Sequence, residues 1–319
     1  MITKEPEKFF TKNYVVCVGA IICCILWGSA FPCVKIGYKL FEVNTDSVPS
    51  LMLFAGTRFS LAGILVIIFG CILKRKFIVP KPKNLWRVGV VSVFQTVAQY
   101  TFFYIGLAHT AGVKASVLNG LGVFFTILAA CFIFRTEKFT LVKLAGCILG
   151  FGGVVLINLG GDFSFSFTLL GEGFVIFSGL SSAIAAGFVK IFSKHEDTTA
   201  LCGYQFLFGG IILVIVGLAA GGTFGGVNAG GIFMLLYLAF LSACAFTLQG
   251  FLLRYNPVSK IAVFKSTNPI FGAVFSALIL GEKDQLLSWF TLLALLLVCA
   301  GIFVINKFGE RRLKFRKSG

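Results

Sequence analysis

Lys265, Ser266, Thr267, Asn268 and Pro269 stand side by side inside an apolar run. Polar groups at membrane depth are costly and usually face a bundle interior or a wet cavity. Lys265 lies on the order of 10 Å from the nearer end of its run, at 1.5 Å per residue. Asn268 follows one turn later on roughly the same face. Pro269 removes a backbone donor and disturbs the carbonyls a turn earlier. The set suits a carboxylate or a proton exchange; the plainer role for Lys265 is to extend its ammonium to the aqueous face. Gln95 and Gln99 sit one turn apart in mid-run, with Tyr100 and Tyr104 on the adjacent face. They predict a hydrogen-bonding cavity wall, or else bonds that glue helices together. Asn119, Gln249 and Gln205 are single groups of the same kind, and Trp27 beside Gly28 suits a cavity wall. Arg58 keeps its proton, so at depth it needs a partner or water. It reads as structural or gating, together with Pro32 and Pro269, with guidance of an anion as its other use.

The elements that carry these groups are apolar helices. Of 319 residues, 58% are hydrophobic and 13% charged, against roughly 45–50% and 25% in a soluble domain. Mean hydropathy is +0.96. A helix needs about 20 apolar residues to cross the hydrocarbon core, and apolar runs fall near 14–37, 50–73, 86–108, 112–134, 139–159, 169–193, 198–220, 231–254, 258–281 and 287–307. The first run is read as a spanning helix, not a cleavable leader. The stretch from 88 to 134 would be about 70 Å long as one helix, so a turn is expected at His109-Thr110-Ala111-Gly112. The fold class expected is therefore an all-α polytopic membrane protein of ten helices.

Lys and Arg alternate between connections. Lys74, Arg75, Lys76, Lys81, Lys83 and Arg87 follow the second run, and Arg135, Lys138 and Lys143 the fourth, while the intervening loops are poor in both. Such a bias sets orientation and predicts cytoplasmic termini in the cell membrane. It also accounts for the net charge of +16 through contact with membrane lipid, so nucleic acid is not expected as a partner.

A weak internal repeat divides the chain at 1–159 and 160–319. Gly153-Val154-Val155-Leu156-Ile157-Asn158 recurs as Gly301-Ile302-Phe303-Val304-Ile305-Asn306, Cys33-Val34-Lys35-Ile36 as Phe188-Val189-Lys190-Ile191, and Glu137 pairs with Glu282. Five helices per half is odd, so the halves must insert in opposite senses, an arrangement recurrent in secondary transporters. Ile25-Leu26-Trp27-Gly28-Ser29-Ala30-Phe31 with Lys35, then Arg58-Phe59, then the run from Asn268-Pro269 to Leu280-Gly281-Glu282, resemble the drug/metabolite transporter superfamily, EamA branch. The resemblance spans the whole chain and implies two inverted five-helix repeats that move small metabolites, often amino acids and often outward. Where the ninth run has Pro269, the aligned place in the fourth is near Phe124, so the first half is expected to bend less.

Other chemistry finds little footing. Ten cysteines are scattered through apolar runs, and with two histidines they lack the spacing of a metal site. They read as small packing residues. No phosphate-binding loop, metalloprotease or nucleophile-elbow motif is present, so neither an enzyme nor a cofactor is expected. Lys35 and Lys190 read as snorkelling lysines, Glu137 and Glu282 as helix-end caps or pairs, and Glu172, the acid nearest to membrane depth, as the candidate for proton coupling. Gly150, Gly152 and Gly153 suit helix packing within or between copies, which leaves the oligomeric state open. The expected activity is a secondary carrier of small metabolites, with a small-molecule substrate and alternating access. Efflux of lipophilic or cationic compounds is the alternative, and a receptor or membrane enzyme the remoter one.

Overall fold

The computed structural model describes residues 8–136, 138–158, 167–258, 261 and 268–309. Those residues are helical throughout apart from turns and short connections. The helices are α1 (Asn13–Leu40), α2 (Val48–Lys74), α3 (Pro82–Ala108), α4 (Gly112–Ile133), α5 (Leu141–Asn158), α6 (Leu169–Phe192), α7 (Thr198–Ala219), α8 (Ala229–Tyr255), α9 (Asn268–Leu280) and α10 (Trp289–Gly309). Seven of them, α1–α4 and α6–α8, are long and apolar enough to cross a membrane. Shorter apolar segments occupy Leu141–Gly153, Asn268–Leu280 and Trp289–Gly301. The turn expected at 109–112 is present, because α3 ends at Ala108 and α4 begins at Gly112. Lys265 and Glu137 lie outside the described residues.

Glycines set the central crossing. Gly56, Gly63 and Gly70 on α2, spaced by seven, recur as Gly203, Gly210 and Gly217 on α7. A Cβ on Gly56 would stand 2.7 Å from the Gly210 carbonyl oxygen, and one on Gly63 2.8 Å from that of Gly203. A Cβ on Gly210 would stand 2.4 Å from the Ser60 nitrogen. Backbone therefore meets backbone, and α2 and α7 cross antiparallel. A second antiparallel contact joins α5 to α10, where a Cβ on Gly153 would meet the Ala294 oxygen at 2.8 Å and one on Gly301 the Gly146 oxygen at 2.5 Å. Gly150 is filled by the Phe124 ring, whereas Gly152 faces open space. Around these crossings α1 packs on α8 and α9, α6 packs on α3 and α4, α2 touches α8, and α7 touches α3.

Two helices carry interruptions that aim side chains. In α3, residues Ser92–Ala98 are wound as π-helix, with i→i+5 bonds in place of i→i+4. The segment is braced from outside: Ser181 Oγ donates to the Phe94 carbonyl at 2.7 Å, and Thr96 Oγ1 to Gln205 Oε1 at 2.6 Å. In α4 the helix breaks at Gly120, between Asn119 and Leu121. The Pro269 ring packs there, 2.7 Å from where a Gly120 Cβ would be. The helix α4, expected to bend less, is thus interrupted at Gly120.

Candidate functional site: a buried cavity sealed at one end

A cavity lies where α1, α3, α4, α6, α8 and α9 converge. It offers about 90 Å³ to the centre of a water-sized sphere, several times the roughly 10–15 Å³ that one water needs. Trp27, Phe31, Tyr100, Phe103 and Phe246 supply rings to its wall, and Gln99, Asn119, Gln249 and Asn268 supply amides. The rings interlock: Trp27 and Phe246 lie 5.1 Å apart, Phe31 and Phe103 5.5 Å, and Tyr100 and Phe246 6.3 Å, all edge-on. No acidic residue is among the described lining residues. Gln99 Oε1 and Asn268 Oδ1 are buried and have no hydrogen-bond partner among the described residues. A buried polar atom normally has one, and burying it without costs on the order of 1–3 kcal/mol.

Arg58 completes the wall. It is 2% exposed and donates from Nε to the Leu238 carbonyl at 3.2 Å, from Nη1 to Tyr104 Oη at 2.7 Å and from Nη2 to Ser242 Oγ at 2.9 Å. It thus pins α2 to α3 and α8. Among the described residues no carboxylate pairs with it.

Seven of the sequence candidates come together on one surface: Trp27, Gln99, Tyr100, Asn119, Gln249, Asn268 and Pro269, with Arg58 beside them. Gln95 stays off that surface, although it is only one turn from Gln99 on an ideal helix. The segment that carries Gln95 is wound as π-helix. Pro32 is buried within α1 and lies off the wall. Phe31, Phe103, Phe246, Thr126 and Ser182 also line the cavity. The rings among them carried no signal of their own in a chain with 38 Phe.

The cavity reaches toward the end of the bundle that bears Lys74, Arg75, Lys76 and Arg87. Leu253, Val258 and Ile261 line it there. At the other end Tyr38, Phe54 and Tyr104 pack as a buried ring layer, and Tyr38 Oη donates to the Tyr104 carbonyl at 3.1 Å. Above them the α3–α4 turn is tied down by charge. Glu282 accepts from the backbone N–H groups of Gly112 at 3.2 Å and Val113 at 2.9 Å, so a carboxylate sits at the positive end of α4. Lys35 donates to the Thr110 carbonyl at 2.8 Å and stands 3.6 Å from Glu282. Lys114 pairs with Glu172 at 2.8 Å, and Glu172 also accepts from Thr110 Oγ1 at 3.0 Å and Thr168 N at 2.8 Å. Lys35 is therefore drawn into this network and does not snorkel. Lys190, at the basic end, donates to the carbonyls of Arg254 and Asn256 at 3.3 and 2.7 Å.

The fold and the site define a multi-pass helical membrane protein with a cavity at its centre that is closed at one end and lined by rings, amides and Arg58. The chain belongs to the EamA-like transporter family, whose profile matches residues 15–159 and 169–307, and so to the drug/metabolite transporter superfamily. An uncharacterized transporter of Archaeoglobus fulgidus is 28% identical over 88% of this chain and 93% of its own length. The uncharacterized inner membrane transporter YicL of Salmonella typhimurium is 25% identical over 93% and 97%. The uncharacterized transporter YvbV of Bacillus subtilis is 26% identical over 88% of each. A solved crystal structure at 16% identity superposes with a TM-score of 0.68 over 95% of this chain and 99% of its own, a likeness of fold.

Proposed function

We propose that the protein is a secondary carrier that exports small metabolites, amino acids or related compounds, through the cavity by alternating access. The observation that carries this reading is the pairing of Asn119 and Asn268, one from each half, across a buried space that ion pairs close at the end bearing Lys35 and Glu172. The amino-acid and export parts rest on the family resemblance.

Ten spanning helices in two inverted halves, residues 1–159 and 160–319, are the architecture we assign. The main packing contacts of α1 have counterparts at α6: α1 on α8 answers α6 on α3, and α1 on α9 answers α6 on α4. The equivalent helices α2 and α7 run in opposite senses, as inversion requires. Inverted repeats of this kind place the substrate between the halves. Both termini then face the cytoplasm, with the basic end inward, and the network around Glu282 and Glu172 is the outer seal. Glu172 belongs to that seal and not to the cavity wall, so a proton taken up there acts on the gate. The absence of acidic groups from the described lining speaks against efflux of cations.

Counterflow in proteoliposomes tests the reading. Vesicles loaded with amino acids, nucleosides and sugars are followed by mass spectrometry for wild type and Asn268→Leu. Selective exchange that the variant loses supports the carrier and its site. No exchange of any compound by folded wild-type protein overturns it.

A further inference from the structure

We infer that Arg58 gives the cavity an anion site, for a small organic carboxylate whose apolar part lies among the rings. The inference rests on the carrier reading only for its consequence, that this anion is the cargo. A guanidinium carries five N–H groups and a fixed charge. Three are engaged, all with neutral acceptors: the Leu238 carbonyl, the Tyr104 hydroxyl and the Ser242 hydroxyl. The Phe59 ring, 4.9 Å from the guanidinium carbon, adds no counter-charge. A positive charge 2% exposed in the wall of a cavity is thus left without a carboxylate among the described residues.

Helix pinning alone does not call for that charge. The segment Gly56-Thr57-Arg58-Phe59 and its Gly63 recur on α7 as Gly203-Tyr204-Gln205-Phe206 and Gly210. In the place equivalent to Arg58 stands Gln205, a neutral amide, which joins α7 to α3 through Thr96 at 2.6 Å. The bond between helices is made in both halves; the positive charge is present in one. Gln205 is not on the cavity wall, whereas Arg58 is. The unpartnered oxygens of Gln99 and Asn268 on the same wall accept hydrogen bonds, so they suit O–H or N–H groups elsewhere on the ligand. Rings at Trp27, Phe31 and Phe246 suit a flat apolar body.

Three compounds of similar shape and different charge test the site: phenylacetate, phenylethylamine and 2-phenylethanol. Each is titrated by calorimetry into the full-length protein in detergent, with no gradient present. Phenylacetate is expected to bind and phenylethylamine not to. Arg58→Gln, which copies the other half, is expected to weaken phenylacetate roughly ten- to hundredfold, the loss of one charge-assisted hydrogen bond, and to leave 2-phenylethanol unchanged. Arg58→Lys keeps the charge and is expected to keep the preference for the anion, so it serves where Arg58→Gln does not fold. Equal binding of phenylacetate and phenylethylamine by wild type, or unchanged phenylacetate binding in folded Arg58→Gln, overturns the site. So does the lack of any phenylacetate binding at millimolar concentration. Counterflow of phenylacetate in vesicles is read separately: binding without exchange keeps the site and removes the carrier, and exchange indifferent to Arg58 does the reverse.

Discussion

Lys114 on α4 and Glu172 on α6 form an ion pair at 2.8 Å, with side chains 17% and 7% exposed. It joins the first half of the chain to the second at the end where the cavity is closed. Little water reaches the pair, so it is worth more than an exposed one, and removing one partner leaves the other charge buried.

Breaking that pair should open the seal. In Glu172→Gln the ion pair with Lys114 is lost, and about 2 kcal/mol of bias, about thirtyfold in population, should shift toward the state open at that end. A cysteine placed at Phe103 in a background freed of reactive thiols should then label faster with an impermeant maleimide applied from outside. Unchanged labelling would remove the network from the gate.

The α2–α7 crossing should tolerate no added methyl. Gly210→Ala puts a Cβ 2.4 Å from the Ser60 nitrogen, and overpacking of this kind costs about 1–3 kcal/mol. Gly152→Ala meets nothing within 4 Å and should be neutral or mildly stabilising, since alanine is the better helix former. Thermal unfolding in detergent should separate the two variants clearly.

Asn268 should trade stability for transport. Its side-chain oxygen is buried without a partner among the described residues, so Asn268→Leu removes a desolvation cost of about 1–3 kcal/mol. The melting temperature should rise or hold while counterflow falls. A fall in both would make the amide a structural group.

Acid should loosen the basic end through Asp197. Its side chain accepts from Thr199 N at 3.0 Å and Ala200 N at 3.1 Å, capping α7, and pairs with Lys74. Burial pushes its carboxyl up, but Lys74 and the two N–H donors outweigh burial and hold it below the ordinary aspartate value. A depressed folded-state value means that the stabilisation is full above the unfolded value and is lost as pH falls through the folded one. Melting temperature should therefore drop between about pH 5 and pH 3, and the drop should shrink in Asp197→Asn. Equal drops in both would assign the acid lability elsewhere.

The sequence by itself determined where seven long apolar helices run, because those runs are local and bounded by charged or glycine-rich turns. It also marked Trp27, Gln99, Asn119, Gln249 and Asn268, since a polar or bulky amphipathic group in mid-run is costly wherever the helix lies. Three matters were left to the tertiary structure. Gln95 lies off the cavity wall that holds Gln99, in a π segment braced by Ser181 and Thr96, although the two stand one turn apart. Gly120 interrupts α4 where the Pro269 ring of a distant segment packs against it. Lys35, Lys114, Glu172 and Glu282 become a seal only when four helices and the α3–α4 turn converge. A run's hydropathy reports its solvent; which of its faces meets which neighbour is a property of crossings between segments far apart in the chain, and no local pattern encodes it.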